Sequence, residues 1–223
     1  DVIWLGSTRK PDPFHALLRW RVYQSKAGAM MNRLFLTFAL ATLLGACQPT
    51  ADTRPPLDGA RMGGAFLLTN QDGRVVKDSD FAGQYRLVYF GYAHCPDVCP
   101  VDLQKLMRGF ALVEQQDAAL AKRIQPIFIT VDPDRDTQPV LKQFVAAFHP
   151  RLIGLRGTPE ETAAVAKRYA VFFQKTPADA AGSYRIDHNR MTVLYGPKGE
   201  PLSTIPEAAS PEEIAAAIRQ WAK

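Results

Sequence analysis

A short apolar strand pattern that leads directly into two cysteines, and then into a helix pattern, constrains the fold of this chain most. The stretch YRLVYFGYA, residues 85–93, is rich in β-branched and aromatic side chains and indicates a buried strand. Cys95 and Cys99 follow it, and residues 100–116 place apolar side chains at three- and four-residue steps, as on one face of a helix. The two thiols are therefore expected where the carboxyl end of a strand meets the amino end of a helix.

Strand and helix patterns alternate along the rest of the chain. A β-hairpin is predicted over 64–78, where two apolar runs flank the turn sequence QDG. Further strands are predicted over 124–132, 152–155, 191–196 and 201–205, and further helices over 137–148, 158–170 and 210–221. Candidate capping side chains precede these helices: Asp136 and Thr137, Thr158 with Glu161, and Ser210 with Glu213. This alternation indicates an α/β sheet, and together with the strand–cysteine–helix junction it predicts a thioredoxin-like fold with an N-terminal β-hairpin in a single domain.

The amino-terminal part has the anatomy of an export signal. From Met30 the sequence contains one arginine, an apolar run over 34–44 and the ending LLGAC, which resembles a bacterial lipobox. The run is shorter than the roughly 20 residues that span a bilayer as a helix, so a transmembrane anchor is the weaker interpretation. We expect a lipoprotein-type signal peptide over 30–46 and a lipidated Cys47, which would anchor the protein to a membrane of the bacterial cell envelope on the periplasmic side. The residue after Cys47, Gln48, leaves the choice between inner and outer membrane open.

The segments around this signal complete the predicted domain organisation. Residues 1–29 precede a signal that should start the chain, so we expect them to be a non-native upstream extension. Residues 47–62 are rich in Pro, Gly and small polar residues, which predicts a flexible tether, and the folded domain is expected over 63–223. Residues 1–46 carry +4 of the net charge of +5, so the remainder is nearly neutral and no nucleic-acid partner is expected.

The spacing of Cys95 and Cys99 allows two chemistries. Near a helix start, cysteines four residues apart can either form a disulfide bond or share a metal ion. The N–H groups at the helix start favour the thiolate that both chemistries need. Three residues separate the two cysteines, one more than in the ordinary thioredoxin motif. One of them, Asp97, adds a negative charge that opposes thiol ionisation and favours a bound cation.

Other polar residues near these motifs have a structural explanation beside a functional one. His94 could tune the neighbouring thiolate or be a partly exposed loop residue. Asp187 could orient His188 or be solvated. The acids of VDPDRD, residues 131–136, could suggest a hard-cation site, but a turn with helix-capping carboxylates explains them without a metal. His149 is expected to be an ordinary loop residue.

Four motifs together resemble the Sco/SenC family of copper chaperones, which help assemble the copper A centre of cytochrome c oxidase. They run in family order from about Gly64 to the C-terminus: YFGYAHCPDVCP, TVDPDRDT, FHPRLIGLRGTPEE and YRIDHNRMTVLYGPKGE. In that family the two motif cysteines and the histidine of an Asp-His pair bind copper, which implies Cys95, Cys99 and His188 as ligands here. Two thiolates and one imidazole suit copper as Cu(I) or Cu(II), whereas structural zinc would need a fourth ligand.

The resemblance implies a metallochaperone that binds one copper ion and delivers it to the copper A site of cytochrome c oxidase subunit II. A copper donor and a thiol reductant, both of unknown identity, would be further partners. The alternative is a thiol–disulfide oxidoreductase that uses Cys95 and Cys99 to reduce the copper-ligand cysteines of the oxidase or of another exported protein. In that case His188 would be dispensable and the protein would be an enzyme, so its status as an enzyme stays open.

Overall fold

A central β-sheet organises the structure, a computed structural model that describes residues 54–223. Within those residues the strands β1 to β9 are, in chain order, Leu67–Asn70, Val75–Lys77, Tyr85–Gly91, Ile124–Thr130, Ile153–Arg156, Phe173–Lys175, Ile186–His188, Thr192–Tyr195 and Pro201–Ile205. Seven of them form one sheet in the order β2-β1-β5-β4-β3-β8-β9, and β6 and β7 form a separate two-stranded sheet. The helices α1 to α5 are Val98–Gln116, Ala118–Lys122, Gln138–Ala146, Pro159–Arg168 and Pro211–Trp221, and a short 3-10 helix covers Asp78–Phe81.

Strand β3 lies inside the sheet, and all seven of its residues are buried. It runs parallel to β4 and antiparallel to β8, so that Val88 lies opposite Ile127 on one side and Val193 on the other. Because β8 is antiparallel, it begins at the end of the sheet where β3 finishes. The cysteines follow β3 and His188 precedes β8, so this topology brings all three to the same end of the sheet.

The helices bury the faces that their sequence periodicity predicts. Helix α1 packs against α5 and buries Leu103, Phe110 and Val113, none of which has any exposed surface. Two predicted capping boxes are present, at the starts of α4 and α5. In each, a hydroxyl accepts the N–H of the glutamate three residues later, while that glutamate accepts the N–H of the capping residue. The predicted α/β class and the N-terminal hairpin of β1 and β2 are confirmed.

The folded unit begins earlier than the sequence indicated. Residues 54–62, which the composition assigned to a flexible tether, belong to the compact unit Arg54–Lys223. The Leu57 N–H donates to the carbonyl of Leu202 at 3.0 Å, and Leu57 and Met62 pack against the core. The remaining predictions for the amino-terminal part, including the signal peptide over 30–46 and the lipidated Cys47, lie outside the described residues.

Two further differences concern the elements around the cysteines. Helix α1 begins at Val98 rather than Pro100, so Cys99 lies in its first turn. The small sheet of β6 and β7 was not predicted, and it places His188 at the end of a strand, opposite Phe173, rather than in the approach to one. Among residues 54–223, no helix is both long enough and apolar enough to cross a membrane.

Candidate metal centre

The two cysteines occupy the loop and the first helical turn that follow β3. Cys95 lies in the loop and is half-buried, whereas Cys99 has no exposed surface. The close approach of α1 to the end of β3 favours a glycine at position 91. A Cβ atom there would lie 3.2 Å from the Cys99 sulfur and 3.0 Å from the Tyr89 ring, tighter than ordinary van der Waals contact. Both cysteines are free thiols in the structure.

Hydrogen bonds at the start of α1 converge on the sulfur of Cys95. The Cys99 N–H donates to it at 3.4 Å. Burial raises the pKa of the Cys95 thiol, but the N–H and thiol of Cys99 and the N–H groups of Asp97 and Val98 outweigh burial and lower the pKa below its ordinary value. The exposed Asp97 thus contributes its backbone N–H to the sulfur, whereas the sequence had suggested an effect of its carboxylate. Cys95 is the thiol that ionises first.

Cys99 has the opposite character. Burial, the largest cause, raises the pKa of its thiol to about 12. Hydrogen bonds from the Tyr92 backbone N–H and, more weakly, from the Tyr89 hydroxyl partly offset burial, while the negative charge of an ionised Cys95 raises the pKa of Cys99 further. Cys99 therefore stays protonated near neutral pH until a cation or another electrophile replaces its proton.

His188 completes the cluster from the other side. Its Nε2 atom lies 3.4 Å from the Cys99 sulfur, although 89 residues separate the two in the chain. The rings of Tyr89 and Tyr92 meet the imidazole edge-on, with centroid separations of 6.5 and 6.1 Å. Tyr92 also joins the cysteine loop to the strand that carries His188. Its hydroxyl hydrogen-bonds Cys95 and accepts the N–H of Ile186 in β7 at 3.4 Å.

The backbone orients the imidazole of His188. Its Nδ1 lies 3.1 Å from the carbonyl oxygen of Asn189, which can only accept, so Nδ1 carries the proton and the lone pair of Nε2 faces the sulfur. Burial lowers the pKa of His188 below its ordinary value and keeps the ring neutral, the form that binds metals. Asp187, the predicted candidate for this orienting role, is exposed, and no hydrogen bond joins it to His188.

The separation between Cys99 and His188 fits two ligands of one ion. Bonds of about 2.3 Å to sulfur and 2.0 Å to nitrogen, as in zinc sites, would place the two ligand atoms roughly 3.5 to 3.7 Å apart at tetrahedral or trigonal angles. The observed 3.4 Å is close to the lower figure. Within residues 54–223, no three His, Cys, Asp or Glu side chains already stand together as a complete metal site. A bound ion would therefore still have to draw in the sulfur of Cys95.

A second group of contacts holds the His188 segment against α1. Arg190 donates two hydrogen bonds of 2.8 Å from Nε and Nη2 to the carboxylate of Asp102, which lies one turn after Cys99. Arg190 also contacts Glu207 at 3.3 Å, and the Tyr89 hydroxyl lies 3.5 Å from the same carboxylate of Asp102. The segment that carries the imidazole is thus joined to the helix that carries Cys99.

Asp136 fixes the loop before Cys95, and its predicted role as a helix cap is wrong. Its carboxylate is completely buried and accepts hydrogen bonds from the Ala93 N–H at 2.8 Å and the Thr130 hydroxyl at 2.5 Å. The Nδ1 of His94 lies 3.1 Å from the same carboxylate, and the side chain of His94 is 45% exposed. His94 is therefore a partly exposed residue held by Asp136.

The other acids of the VDPDRD motif also have partners of their own. Asp132 pairs with Arg135 at 2.5 Å and accepts from the Tyr184 hydroxyl at 2.9 Å, while Asp134 lies 3.5 Å from Lys175. These contacts explain the acidic cluster without a hard cation, as expected, but not by helix capping. His149 is more than a simple loop residue, because its Nε2 lies 3.1 Å from Glu114 and its ring packs on Phe110.

Comparison with known proteins identifies the family. The family model described as SCO1/SenC matches residues 54–223, the whole of the described part. The chain belongs to the SCO1/SenC family. The mitochondrial SCO1 homolog of Homo sapiens is 40% identical over 158 residues, which cover 70% of this chain and 52% of the human protein. Mitochondrial SCO2 of Saccharomyces cerevisiae is 37% identical over 215 residues, which cover 92% of this chain and 69% of the yeast protein. The match thus spans only about half the length of the human relative.

Solved structures of Sco proteins share the fold, and some contain copper. Bradyrhizobium japonicum ScoI with copper bound superposes with a TM-score of 0.65 at 37% identity, covering 72% of this chain and 99% of that one. Yeast Sco1 with copper bound has a TM-score of 0.65 at 31% identity, covering 71% and 87%. BsSco, described as a member of the Sco family of cytochrome c oxidase assembly proteins with a disulfide switch, has a TM-score of 0.58 at 21% identity, covering 77% and 96%. The predicted thioredoxin-like Sco fold is confirmed, and homologous structures hold copper.

Several contacts of this Sco-family centre had no signal in the sequence. The attachment of the cysteine loop to Asp136 and the pairing of Arg190 with Asp102 join residues that are 43 and 88 positions apart. Neither pair lies in one motif, so no local pattern of the sequence connects the two residues of either pair. The carbonyl of Asn189 could not be singled out either, because every residue has one.

Proposed function

We propose that this protein is a copper metallochaperone, and that Cys95, Cys99 and His188 bind one copper ion as its cargo. The observation that carries the proposal is the 3.4 Å contact between the Cys99 sulfur and His188 Nε2, with Cys95 hydrogen-bonded to the same helix turn. Copper-bound structures of ScoI and yeast Sco1 support the choice of metal. Two thiolates with one neutral imidazole also suit copper as Cu(I) or Cu(II), whereas structural zinc needs four ligands.

The unequal exposure of the three ligands suits both capture and release of the ion. Cys95 is half-buried and ionises readily, so it can meet an incoming ion first. Binding then displaces the proton of the buried Cys99, while His188 is already neutral and oriented. An acceptor can take the ion by replacing the accessible Cys95 before the two inner ligands. A site with one accessible ligand therefore supports stepwise exchange.

The proposed acceptor is the copper A site of cytochrome c oxidase subunit II. The Sco family is described as a family of cytochrome c oxidase assembly proteins, and this chain is a member over residues 54–223. We propose that Cys47 carries a lipid that anchors the protein on the periplasmic side of a bacterial membrane. Residues 47–53 would then link the anchor to the folded unit, which begins at Arg54.

Copper titration of the reduced full chain tests the ligand set. We expect one copper ion per chain, and a loss of affinity of roughly 10- to 100-fold or more in His188→Ala, since even residues that only support metal ligands cost that much when replaced. The matched control is His149→Ala, which removes an imidazole that contacts Glu114 and Phe110, outside the cluster. Equal copper affinity of His188→Ala and the control would reject His188 as a ligand.

The contrast between the two thiols also favours a second candidate function, thiol–disulfide exchange. Cys95 is accessible with a lowered pKa, and Cys99 is buried behind it, as in a pair where one thiol attacks and the other resolves the mixed disulfide. In cells, normal copper A assembly with His188→Ala together with failure in Cys95→Ser would favour this reductase role. Loss of copper A in both variants supports the chaperone.

A further inference from the structure

A large basic cavity, widely open to solvent, lies at the end of the sheet opposite the metal centre. Its volume is about 870 Å³, and its walls come from residues 60–64, the end of α4 and the turn 198–201 between β8 and β9. In the register of the sheet, Arg86 near the start of β3 pairs with Tyr195 near that turn, whereas the cysteines follow the other end of β3. Seven residues of extended strand separate the two ends, a length of about 20 Å.

The walls of the cavity carry a strong excess of positive charge. Four cationic side chains line it, namely Arg61, Lys167, Arg168 and Lys198, and Glu200 is the acid that accompanies them. Glu200 is turned toward its own turn, where it accepts the Lys198 N–H at 2.9 Å. Within residues 54–223, no ion pair neutralises Arg61, Lys167 or Lys198. The cavity therefore offers several cations to a ligand.

Buried polar groups beneath the cavity wall lack partners. Arg86 is only 4% exposed, and its Nε atom has no hydrogen-bond acceptor. Tyr195 is 2% exposed, and its hydroxyl has no hydrogen-bond partner. Other atoms of these two side chains lie close to glycines of the wall. The guanidinium of Arg86 is 2.6 Å from the position that a Cβ would take on Gly199, and the ring of Tyr195 is 2.7 Å from that of Gly63. Both glycines have positive φ, at 86° and 90°, so a side chain is disfavoured there.

This arrangement is unusual for a purely structural arginine. A buried guanidinium is ordinarily paired with an acid, because an uncompensated charge in the interior is costly. Within residues 54–223, no acidic side chain forms an ion pair with Arg86. An anion held in the cavity would supply the missing negative charge and would contact the surrounding cations by charge-assisted hydrogen bonds.

We propose that this cavity binds a phosphate group, either free phosphate or the headgroup of an anionic phospholipid. Lysine and arginine side chains around a concave site are the groups that recognise phosphate oxygens. The volume exceeds what one phosphate needs and can admit a headgroup as well. Residues 60–64 form one wall, so the cavity lies beside the segment that leads toward the amino end of the chain. The site is separate from the copper ligands and does not depend on the proposed function.

Two probes distinguish the sources of the phosphate. Inorganic phosphate is titrated calorimetrically into the full chain at low ionic strength, and sedimentation measures binding to phosphatidylcholine vesicles with and without phosphatidylglycerol. Binding to vesicles of pure phosphatidylcholine measures the background that the apolar residues 34–44 contribute. The test variant is Lys167→Gln/Lys198→Gln. The control, Lys122→Gln/Lys142→Gln, removes two exposed lysines that do not line the cavity. Its net charge therefore equals that of the test variant.

We expect the wild type and the control to bind phosphate, anionic vesicles or both, and the cavity variant to bind at least about tenfold more weakly, since it loses two charged donors. Phosphate binding alone identifies free phosphate as the ligand, and vesicle binding alone identifies the headgroup. Arg86→Gln should weaken binding as well. If that variant fails to fold, the lysine variant, whose copper binding reports an intact domain, decides the question. The proposal is overturned if the wild type binds neither probe, or if the cavity variant binds as tightly as the control.

Discussion

The difference in ionisation between the two thiols predicts a large difference in their reactivity toward an alkylating reagent. Cys95 has a pKa below its ordinary value of 9.0, whereas burial raises the pKa of Cys99 to about 12. At about pH 8, more than roughly one Cys95 in ten is therefore a thiolate, against roughly one Cys99 in ten thousand. The ratio of thiolate fractions exceeds about 1000.

Intrinsic nucleophilicity reduces that ratio without reversing it. A thiolate of higher pKa is the better nucleophile, but with a Brønsted slope of about 0.4–0.5 each pKa unit between the two thiols returns only roughly a threefold advantage to Cys99. Alkylation of Cys95 should still be at least roughly tenfold faster, and the complete burial of Cys99 adds to the difference. The rate at Cys95 should rise with pH and level off above its pKa, because only the thiolate reacts.

Mass spectrometry after timed exposure of the reduced, metal-free chain to iodoacetamide measures both rates. In urea the two thiols should react at similar rates, which shows that the folded structure causes the difference. In Cys95→Ser, the remaining Cys99 should stay slow, because burial rather than the neighbouring charge is the main cause of its raised pKa. Similar rates for the two thiols in the folded chain would refute this account of the helix start.

Two other substitutions probe the supports of the centre. Asp136→Ala leaves the buried Thr130 hydroxyl and the partly buried Ala93 N–H without an acceptor, at about 1–3 kcal/mol each, so we expect a loss of about 2–6 kcal/mol in urea unfolding. A loss below about 1 kcal/mol would show that the cysteine loop does not depend on this carboxylate. Arg190→Gln breaks a partly exposed pair with Asp102 and should cost at most about 1 kcal/mol of stability, yet weaken copper binding by up to about tenfold by releasing the His188 segment. Unchanged copper affinity would limit this pair to a role in surface stability.

The elements with strong periodicity could be predicted from the sequence, whereas the short strands β6 and β7 could not. Helices α4 and α5 begin at capping boxes that a few adjacent residues encode. Strands β6 and β7 have three residues each, too few for an alternating pattern, and they form because tertiary contacts such as the Tyr92–Ile186 hydrogen bond hold them. Asp136 shows a different limit. Its position before α3 is typical of a cap, but an N–H group 43 residues earlier takes the carboxylate instead.

The candidate site shows the same division. The sequence supplied three ligand candidates, and the structure places Cys99 beside both of the others. The sequence could not show which group orients the imidazole of His188, because strand geometry decides which side chains face the site. Successive strand residues point to opposite faces, so Asp187 is exposed while its neighbour His188 faces the sulfur. The pKa difference between the cysteines also depends on burial, which spacing alone does not encode.

The antiparallel pairing of β3 with β8 means that the three proposed ligands can meet only late in the synthesis of the chain. Cys95 and Cys99 emerge early, but His188 reaches them only after β4, β5 and their helices have been made and β8 has paired with Tyr89 and its neighbours. A nascent chain that stops before Thr192 therefore carries both thiols without a partner strand to bring in the imidazole. Such long-range closure is slow compared with local helix formation. Until that pairing forms, the two thiols are present without the imidazole, so the complete set of three ligands exists only in chains that have folded as far as β8.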